Sequence, residues 1–433
     1  MHRIVILLWS VVVLSAVEAD PVDAATRAET SPPTTVIELP MPGAGATEAE
    51  LDGPQPAFMA ISVPGGRVGI FVSRVGGGKK RAIGKYGGSK ASETAVNAGL
   101  QFLKRHQGPE GSWSPSRYHL NCTEEPKCEP GAGDVDDQIV MTTLASLAFL
   151  GSGYDHKTPN KFKTTMAKAL TWLQTQQQDD GSIGTTIAAQ AGAVQALAEV
   201  IVLSGDPALK APTQRCLDRL LSRRIAGTDG MPWAWGSGIT ADTADTVAAI
   251  MAMISAQSAN LEIGDGLDRA KHWLDTVWKA SNPTWLQVDP LVSSATFPAR
   301  WSATIGPEGD ETEAGASVAV FLGRGAGDLL LESLVNHLAQ DLDASRRTDL
   351  RRLYLGGRAV FTAGGDRWTT WNQAYRDALV ASQDQTSGCA MGSWSPAGQT
   401  ALRAERGRLQ STIYALLHGE LYYTYAPQTH AIP

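Results

Sequence analysis

Three aspartates that stand close together have the side chains best suited to chemistry. Asp134, Asp136 and Asp137 lie in the stretch GAGDVDDQIVMTT, directly before an apolar run. Crowded carboxylates cannot all ionise cheaply, so one of them can keep a proton and act as a general acid. Acids in this place can also cap a helix, because a helix N-terminus offers free amides and a positive dipole. The rest of the chain has to distinguish these two roles.

Acids open two other apolar helical patterns in the same way. Asp242 and Asp245 precede TVAAIMAM, and Asp310, Glu311 and Glu313 precede AGASVAVF. A capping acid stabilises a helix by about 0.5–2 kcal/mol. Because helix capping explains the acids before all three apolar patterns, the sequence favours capping over catalysis.

The first 19 residues are typical of a secretory signal peptide. MHRIVILLWSVVVLSAVEAD starts with a positive charge, continues with an apolar stretch from Ile4 to Val17 and ends in small residues near Ala19. This pattern predicts cleavage after Ala19, and the stretch is short for a membrane-spanning helix. We expect a secreted or periplasmic protein, or one anchored at the membrane surface if the signal stays uncleaved.

The cysteines comprise one close pair and two isolated residues. Cys122 and Cys128 lie in the polar loop NCTEEPKCEPG, and in an oxidising compartment their proximity predicts a disulfide. A zinc site needs four ligands, and only His119 is near in sequence. Cys216 lies in a helical pattern and is predicted to be a buried free thiol. Cys389 lies in a turn, and the sequence leaves a bridge between these last two residues open.

Charge and motifs argue against several functions. The net charge is −7 and the basic residues are scattered, so no nucleic-acid partner is expected. The sequence contains no GxSxG, HExxH or phosphate-loop motif. The eight histidines are dispersed; His106 is predicted to lie at the surface, and His418 could be buried but has no obvious partner. No metal or cofactor is predicted.

Composition divides the chain into a linker and a repeat region. Residues 20–91 are dense in proline, glycine and small polar residues, and we expect a flexible linker. Over residues 92–426 an amphipathic helix, a glutamine, a glycine turn and an apolar or aromatic residue recur, followed by an alanine-rich helix that is apolar all round. Copies include LKRHQGPEGSWS, LQTQQQDDGSIG and ASQDQTSGCAMGSWS. Residues 427–433 form a C-terminal tail. A helix apolar on all sides is buried, so outer amphipathic helices should surround inner ones.

These repeats resemble the Gln-Trp repeats of squalene cyclases and protein prenyltransferase β subunits. The glycine-rich GKYGGSKASETAVNAGL, the paired-cysteine loop and the tyrosine-rich ELYYTYAP most resemble uncharacterised bacterial extracytoplasmic members of this class. The resemblance implies an all-α fold, an (α/α) toroid of two concentric helical rings built from repeated helix pairs.

The run DVDD resembles the Asp-x-Asp-Asp general-acid motif of squalene–hopene-type class II cyclases. That resemblance implies that Asp136 donates a proton to an alkene, supported by Asp134 and Asp137. Three features depart from the family. Gln138 stands where those cyclases have threonine, the chain has one helical domain instead of two, and the inner helices offer few aromatic residues. Those few include Phe149, Phe321 and Tyr414.

The preferred interpretation is a binding scaffold that holds a partner protein or a hydrophobic, isoprenoid-like ligand at one mouth of the toroid. One alternative is a class II terpene cyclase, an isomerase, that uses Asp136. A second is a glycan-active toroid enzyme, for which loop tryptophans near acids and arginines would form a sugar platform. These tryptophans are Trp233, Trp235, Trp285, Trp301 and Trp368. Whether the stretch from Val288 to Trp301 folds over the mouth as a lid is left open.

Overall fold

Helices alternate between outer and inner positions along the chain. The computed structural model describes residues 70–225, 234–237, 240–281, 311–325, 327–340, 342, 347–399 and 404–425, all within one unit spanning Asp52–Pro433. The helices are α1 (Gly76–Lys85), α2 (Lys90–Arg105), α3 (Val135–Gly151), α4 (Lys163–Gln176), α5 (Ile187–Ser204), α6 (Lys210–Ser222), α7 (Thr243–Ser258), α8 (Gly266–Ser281), α9 (Glu311–Ala319), α10 (Leu329–Gln340), α11 (Leu350–Ala363), α12 (Asp366–Ala381), α13 (Gly407–Gly419) and α14 (Leu421–Thr424). Two short strands, β1 (Gly236–Ser237) and β2 (Thr240–Ala241), pair antiparallel before α7.

The inner helices of the described residues close into a ring. α3 packs on α5, α5 on α7, α7 on α9, α9 on α11 and α11 on α13, which packs back on α3. The outer helices α2, α4, α6, α8, α10 and α12 lie against this ring. Each outer helix carries the chain back to the end of the ring where the next inner helix begins. The inner helices therefore all begin at one end, here called the N-terminal mouth, and finish at the other, the C-terminal end. The predicted all-α (α/α) toroid of two concentric rings is confirmed.

The inner helix α5 shows how sequence produces this arrangement. Its residues, IAAQAGAVQALAEVIVLS, are apolar all round, and most are buried. The Thr186 hydroxyl accepts from the Ala189 amide at 3.2 Å to cap its start, and Gly205 ends it with a φ of 63°. Among the described residues, α5 is long and apolar enough to cross a membrane, but 67% of this 18-residue helix is buried inside the protein. It is therefore a core helix of the ring.

The repeated glutamine and tryptophan connect the outer helices. Gln107 Nε2 donates to the carbonyls of Gly111 at 2.8 Å and Thr165 at 2.9 Å, which joins its own turn to α4. Trp113 Nε1 donates to the Leu103 carbonyl at 2.7 Å. Equivalent bonds run from Gln383 to Ala95 and Gly392, from Gln177 to Pro212, from Trp235 to Leu220 and from Trp394 to Leu379. The tryptophans therefore bond to carbonyls in the last turn of their own outer helix, whereas the glutamines join each turn to the neighbouring outer helix.

The end of the predicted linker is folded, which corrects the linker boundary at residue 91. The turn Val72–Arg74 and helix α1 pack on α14 at the C-terminal end of the ring. Phe71 and Arg74 are buried there, so this glycine-rich stretch carries anchors that its composition conceals. Residues 1–19, where the sequence predicts a signal peptide, lie outside the described residues, as do residues 20–69 and the tail (residues 427–433).

Candidate functional site

Asp134 and Asp137 form a capping box at the start of α3. The Asp134 carboxylate accepts from the Asp137 amide at 3.0 Å, and the Asp137 carboxylate accepts from the Asp134 amide at 3.2 Å. Arg406 Nε also donates to Asp137 Oδ1 at 2.6 Å. The two acids therefore satisfy amides that an isolated helix would leave free, and an arginine neutralises one of them.

Asp136 caps the next inner helix. Its carboxylate accepts from the Thr185 amide at 2.9 and 3.0 Å, the Thr185 hydroxyl at 2.6 Å and the Thr186 amide at 2.8 Å. Partial burial raises the pKa of Asp136, but the hydrogen bonds from Thr185 and then Thr186 outweigh it, so the pKa lies below its usual value. The structure thus favours a charged Asp136, whereas a general acid must keep its proton.

Asp245 is the acid at this mouth whose environment favours the protonated form. Burial and then the charge of Asp242 raise the pKa of Asp245 to about 6, against the opposing influence of Arg223 and Arg351. Asp242 caps α7 by accepting from the Asp245 amide at 2.9 Å. The sequence identified both residues as helix-opening acids, but only the folded surroundings distinguish the buried acid from its neighbour.

The charged side chains around the mouth are engaged with one another or with the backbone. Arg223 donates to the carbonyls of Thr185 at 2.6 Å and Thr186 at 3.2 Å. Burial lowers the pKa of Arg223, while the nearby Asp245 and Asp136 oppose that shift. Further along the rim, other acids and bases pair: Arg352 with Glu313 at 2.7 Å and Arg408 with Asp384 at 3.2 Å.

Apolar side chains inside this charged rim remain accessible to solvent, and we infer that they line a shallow recess. Val140 and Leu144 on α3 and Ala248 on α7 are partly exposed, and Ala188 at the start of α5 is exposed. Val140 and Leu144 lie on one face of α3. The other faces pack on α2, α4, α5 and α13, so this stripe faces the ring axis. Residues 145–151, 196–201 and 249–256, in the C-terminal halves of these helices, are all buried. Within the described residues, these stretches of the three helices are thus packed below the partly exposed positions.

A cavity elsewhere in the protein is too small for a polyene. It lies between α2, α12 and α13 and has a volume of about 20 Å³, enough for roughly one water molecule. Trp394, His418 and Tyr422 are among its lining residues.

The tryptophans predicted as a sugar platform divide into two groups. Trp235 and Trp368 are buried, and each donates its indole N–H to a backbone carbonyl. These two therefore pack the core and do not form an exposed platform. Trp233, Trp285 and Trp301 lie outside the described residues, as does the stretch from Val288 to Trp301, whose role as a lid the sequence leaves open.

The disulfide predicted between Cys122 and Cys128 is not formed, and both residues are free thiols. Both sulfurs turn toward His106 instead, at 3.3 and 3.6 Å from its Nε2. His106 was predicted at the surface but is buried, because its ring packs between Phe102 and Tyr118.

The two isolated cysteines lie in different places. Cys389 joins the same cluster, with its Sγ 3.3 Å from His106 Nε2. Cys216 is a buried free thiol elsewhere, as predicted, and its sulfur accepts from Gln190 at 3.1 Å. The cluster around His106 was missed from the sequence because it forms only when the ring closes and brings the first and last repeats together.

The chain matches no family model and no curated protein sequence. Among solved structures, it is similar to the type II terpene cyclase MstE from Scytonema in complex with its substrate geranylgeranyl dihydroxybenzoate. The identity is 12% and the TM-score 0.49, over 77% of this chain and 97% of that one. It is also similar to a novel alpha-amylase from Clostridium perfringens, with 11% identity and a TM-score of 0.49 over 76% and 97% of the two chains. The two similar proteins have different activities, and no activity is assigned to this chain from either similarity.

Proposed function

We propose that the protein is an extracytoplasmic binding toroid that holds an apolar ligand, or an apolar segment of a partner protein, at its N-terminal mouth. The observation that carries this proposal is a set of solvent-accessible apolar side chains, Val140, Leu144, Ala188 and Ala248, inside a charged rim. A concave apolar surface with polar groups around it is the usual form of a binding site. The buried helix segments below the recess favour an occupant that enters only partway.

The capping role of Asp136 favours binding over cyclase chemistry. A cyclase of the class II type needs a protonated acid above a dry cavity, whereas Asp136 accepts four hydrogen bonds at a helix start. One observation favours a catalytic alternative that uses a different residue. Asp245 has its pKa raised to about 6 by burial, and perturbed acids cluster at functional sites.

Binding is tested by filling the recess. The variant Ala248→Phe places a large side chain on its floor, while Ala211→Phe makes the same change at an exposed position on outer helix α6. We expect the affinity for the apolar fluorophore 1-anilinonaphthalene-8-sulfonate to fall at least about tenfold in Ala248→Phe, equivalent to 1.4 kcal/mol. The affinity of Ala211→Phe should match that of the parent protein. Equal binding by all three proteins would show that the recess is not the binding site.

Catalysis is tested with squalene and shorter polyenes, with products separated by gas chromatography and identified by mass spectrometry. We expect no cyclised product from the parent protein. Product that disappears in Asp136→Asn would establish the cyclase alternative in place of the scaffold. Product that survives in Asp136→Asn but disappears in Asp245→Asn would instead identify Asp245 as the acid.

A further inference from the structure

Four potential metal ligands meet at one buried point between the first and last repeats. His106 caps the end of α2, Cys122 and Cys128 lie in the loop before α3, and Cys389 lies in the loop after α12. One ligand atom from each residue lies within 4.8 Å of all the others, and all four residues are buried. This cluster is separate from the recess and is not used by the proposed binding function.

The distances match tetrahedral coordination. The Nε2 atom of His106 lies 3.3 Å from Cys122 Sγ, 3.6 Å from Cys128 Sγ and 3.3 Å from Cys389 Sγ. Zinc bonds of about 2.3 Å to sulfur and about 2.0–2.1 Å to nitrogen place such atoms about 3.5 Å apart at tetrahedral angles. Small shifts of the side chains are therefore enough to close the site around an ion.

The surroundings of His106 orient it as a metal ligand. Its Nδ1 lies 2.9 Å from the Phe102 carbonyl, and because a carbonyl only accepts, Nδ1 carries the proton and Nε2 presents its lone pair to the sulfurs. Ligating histidines usually have such a partner on the second ring nitrogen. The amide of Cys128 also donates to Cys122 Sγ at 3.3 Å, which stabilises a thiolate there.

We propose that His106, Cys122, Cys128 and Cys389 bind one zinc ion as a closed structural site. Three cysteines and one histidine form a recognised set for structural zinc, and four protein ligands leave no open position for substrate. Binding displaces the three thiol protons to solvent. The occupied site carries one net negative charge, and Arg105 and Arg408 lie close enough to influence the electrostatics of His106.

The site joins parts of the chain that are far apart in sequence. Cys389 follows His106 by 283 residues, and the loops that carry them belong to opposite ends of the repeat series. The ion would therefore fasten the closure where α2 meets α12 and α13. The role of the ion is structural, and this proposal does not depend on whether the recess binds a ligand.

Metal content and spectroscopy test the site in the full chain. We expect about one zinc per chain by mass spectrometry of the purified protein. Replacement by Co²⁺ should give tetrahedral d–d absorption and sulfur-to-cobalt charge-transfer bands, and X-ray absorption should fit three sulfur ligands and one nitrogen. Absence of both bound zinc and stoichiometric cobalt uptake by the reduced protein would overturn the proposal.

Cys389→Ser and Cys216→Ser provide a matched pair of variants. Both remove a buried thiol, but only Cys389 belongs to the cluster. We expect Cys389→Ser to lose about a third of the charge-transfer intensity and to bind cobalt more weakly, while Cys216→Ser keeps the parent spectrum. An unchanged spectrum in Cys389→Ser would overturn the ligand assignment.

A chelator experiment on the parent protein covers the case in which Cys389→Ser does not fold. Removing the metal should lower the melting temperature, and adding zinc back should restore it. Thiols are then counted in the denatured, metal-free protein without reductant. Four reactive thiols agree with the zinc site, whereas two thiols and no zinc would establish a disulfide instead, and peptide mapping would show whether it joins Cys122 to Cys128.

Discussion

Two acids at opposite ends of the ring, Asp136 and Glu420, lie in opposite environments. At the N-terminal mouth, Asp136 is partly exposed and accepts hydrogen bonds from Thr185 and Thr186, which hold its pKa below the usual value. At the C-terminal end, Glu420 is buried, and burial raises its pKa to about 8 although Ser152 donates to it at 2.6 Å. Hydrogen-bond donors outweigh burial in the first case, and burial outweighs them in the second.

The same contrast separates an open mouth from a closed end. Arg74 lies at the centre of the closed end, where its Nη1 donates to Glu199 at 2.7 Å and its Nε to the Thr424 carbonyl at 3.0 Å. Its guanidinium also lies 4.0 Å from the Phe71 ring centroid. A buried ion pair therefore packs the C-terminal end, whereas the recess leaves apolar side chains at the other end accessible to solvent. The mouth is therefore suited to exchange with solvent and the closed end to stability.

The largest expected effect is at the closed end. Arg74→Met removes one partner of a pair whose side chains are 0% and 1% exposed. The buried Glu199 then loses its ion-pair partner and keeps only the hydrogen bonds from Gln195 and Ser255. We expect the free energy of unfolding to fall by about 3–5 kcal/mol in urea denaturation at pH 7. Lys271→Met, in an exposed pair with Asp268, is the control and should change it by less than about 1 kcal/mol. Similar small losses in both variants would contradict the closed-end description.

The next effect is a dependence of stability on pH. Glu420 has a pKa of about 8 in the folded protein and 4.5 as its ordinary value. Between these pH values the folded state holds a proton that the unfolded state lacks. The free energy of unfolding therefore falls as pH rises, by at most about 1.4 kcal/mol per pH unit. Lys79, Arg74 and Glu93 also act on this group.

Two variants separate the pH contributions of the two ends. Glu420→Gln cannot ionise, so we expect its stability to decline less than that of the parent protein between pH 5 and 8 in denaturation series. Asp245→Asn should instead flatten the decline between its ordinary pKa of 3.8 and about 6, and leave the decline above pH 6 unchanged. If Glu420→Gln declines as steeply as the parent protein, Glu420 is not the titrating group.

A smaller effect is expected from loss of the α5 cap. Asp136→Ala removes the acceptor for the amides of Thr185 and Thr186, so the free energy of unfolding should fall by about 1–2 kcal/mol. Asp179→Ala, at an exposed position in the preceding turn, should stay within about 0.5 kcal/mol of the parent protein. Equal stability of the two variants would remove the evidence for capping by Asp136.

The smallest effect is expected at the rim. Arg406 and Asp137 form a pair whose side chains are 27% and 22% exposed. Arg406→Ala should reduce the free energy of unfolding by about 0.2–1 kcal/mol. The difference should shrink in high salt, since screening weakens an accessible pair. A loss of stability as large as that of Arg74→Met would show that ion pairs at the two ends contribute equally to the free energy of unfolding.

The sequence was sufficient to predict structure where an interaction is local or repeats. Gln107 and Trp113 recur with their repeat, and Asp134 and Asp137 stand at capping spacing, so their roles can be inferred from pattern alone. His106 and Cys389 are far apart in sequence, and only the closed ring shows that they meet. Arg74 lies in a glycine-rich stretch whose composition resembles a linker. The raised pKa of Asp245 depends on burial, which the sequence around it does not reveal.

Closure between the first and last repeats has a consequence for the order of folding. His106 is synthesised long before Cys389, and Arg74 long before Thr424, 350 residues later. Contacts this distant form late, because a long loop must close before they can stabilise the chain. Until α13 emerges from the ribosome, the faces of α2 and α3 that pack on α13 have no partner. We therefore expect unfinished chains to depend on chaperones, and chains truncated before α13 to be degraded.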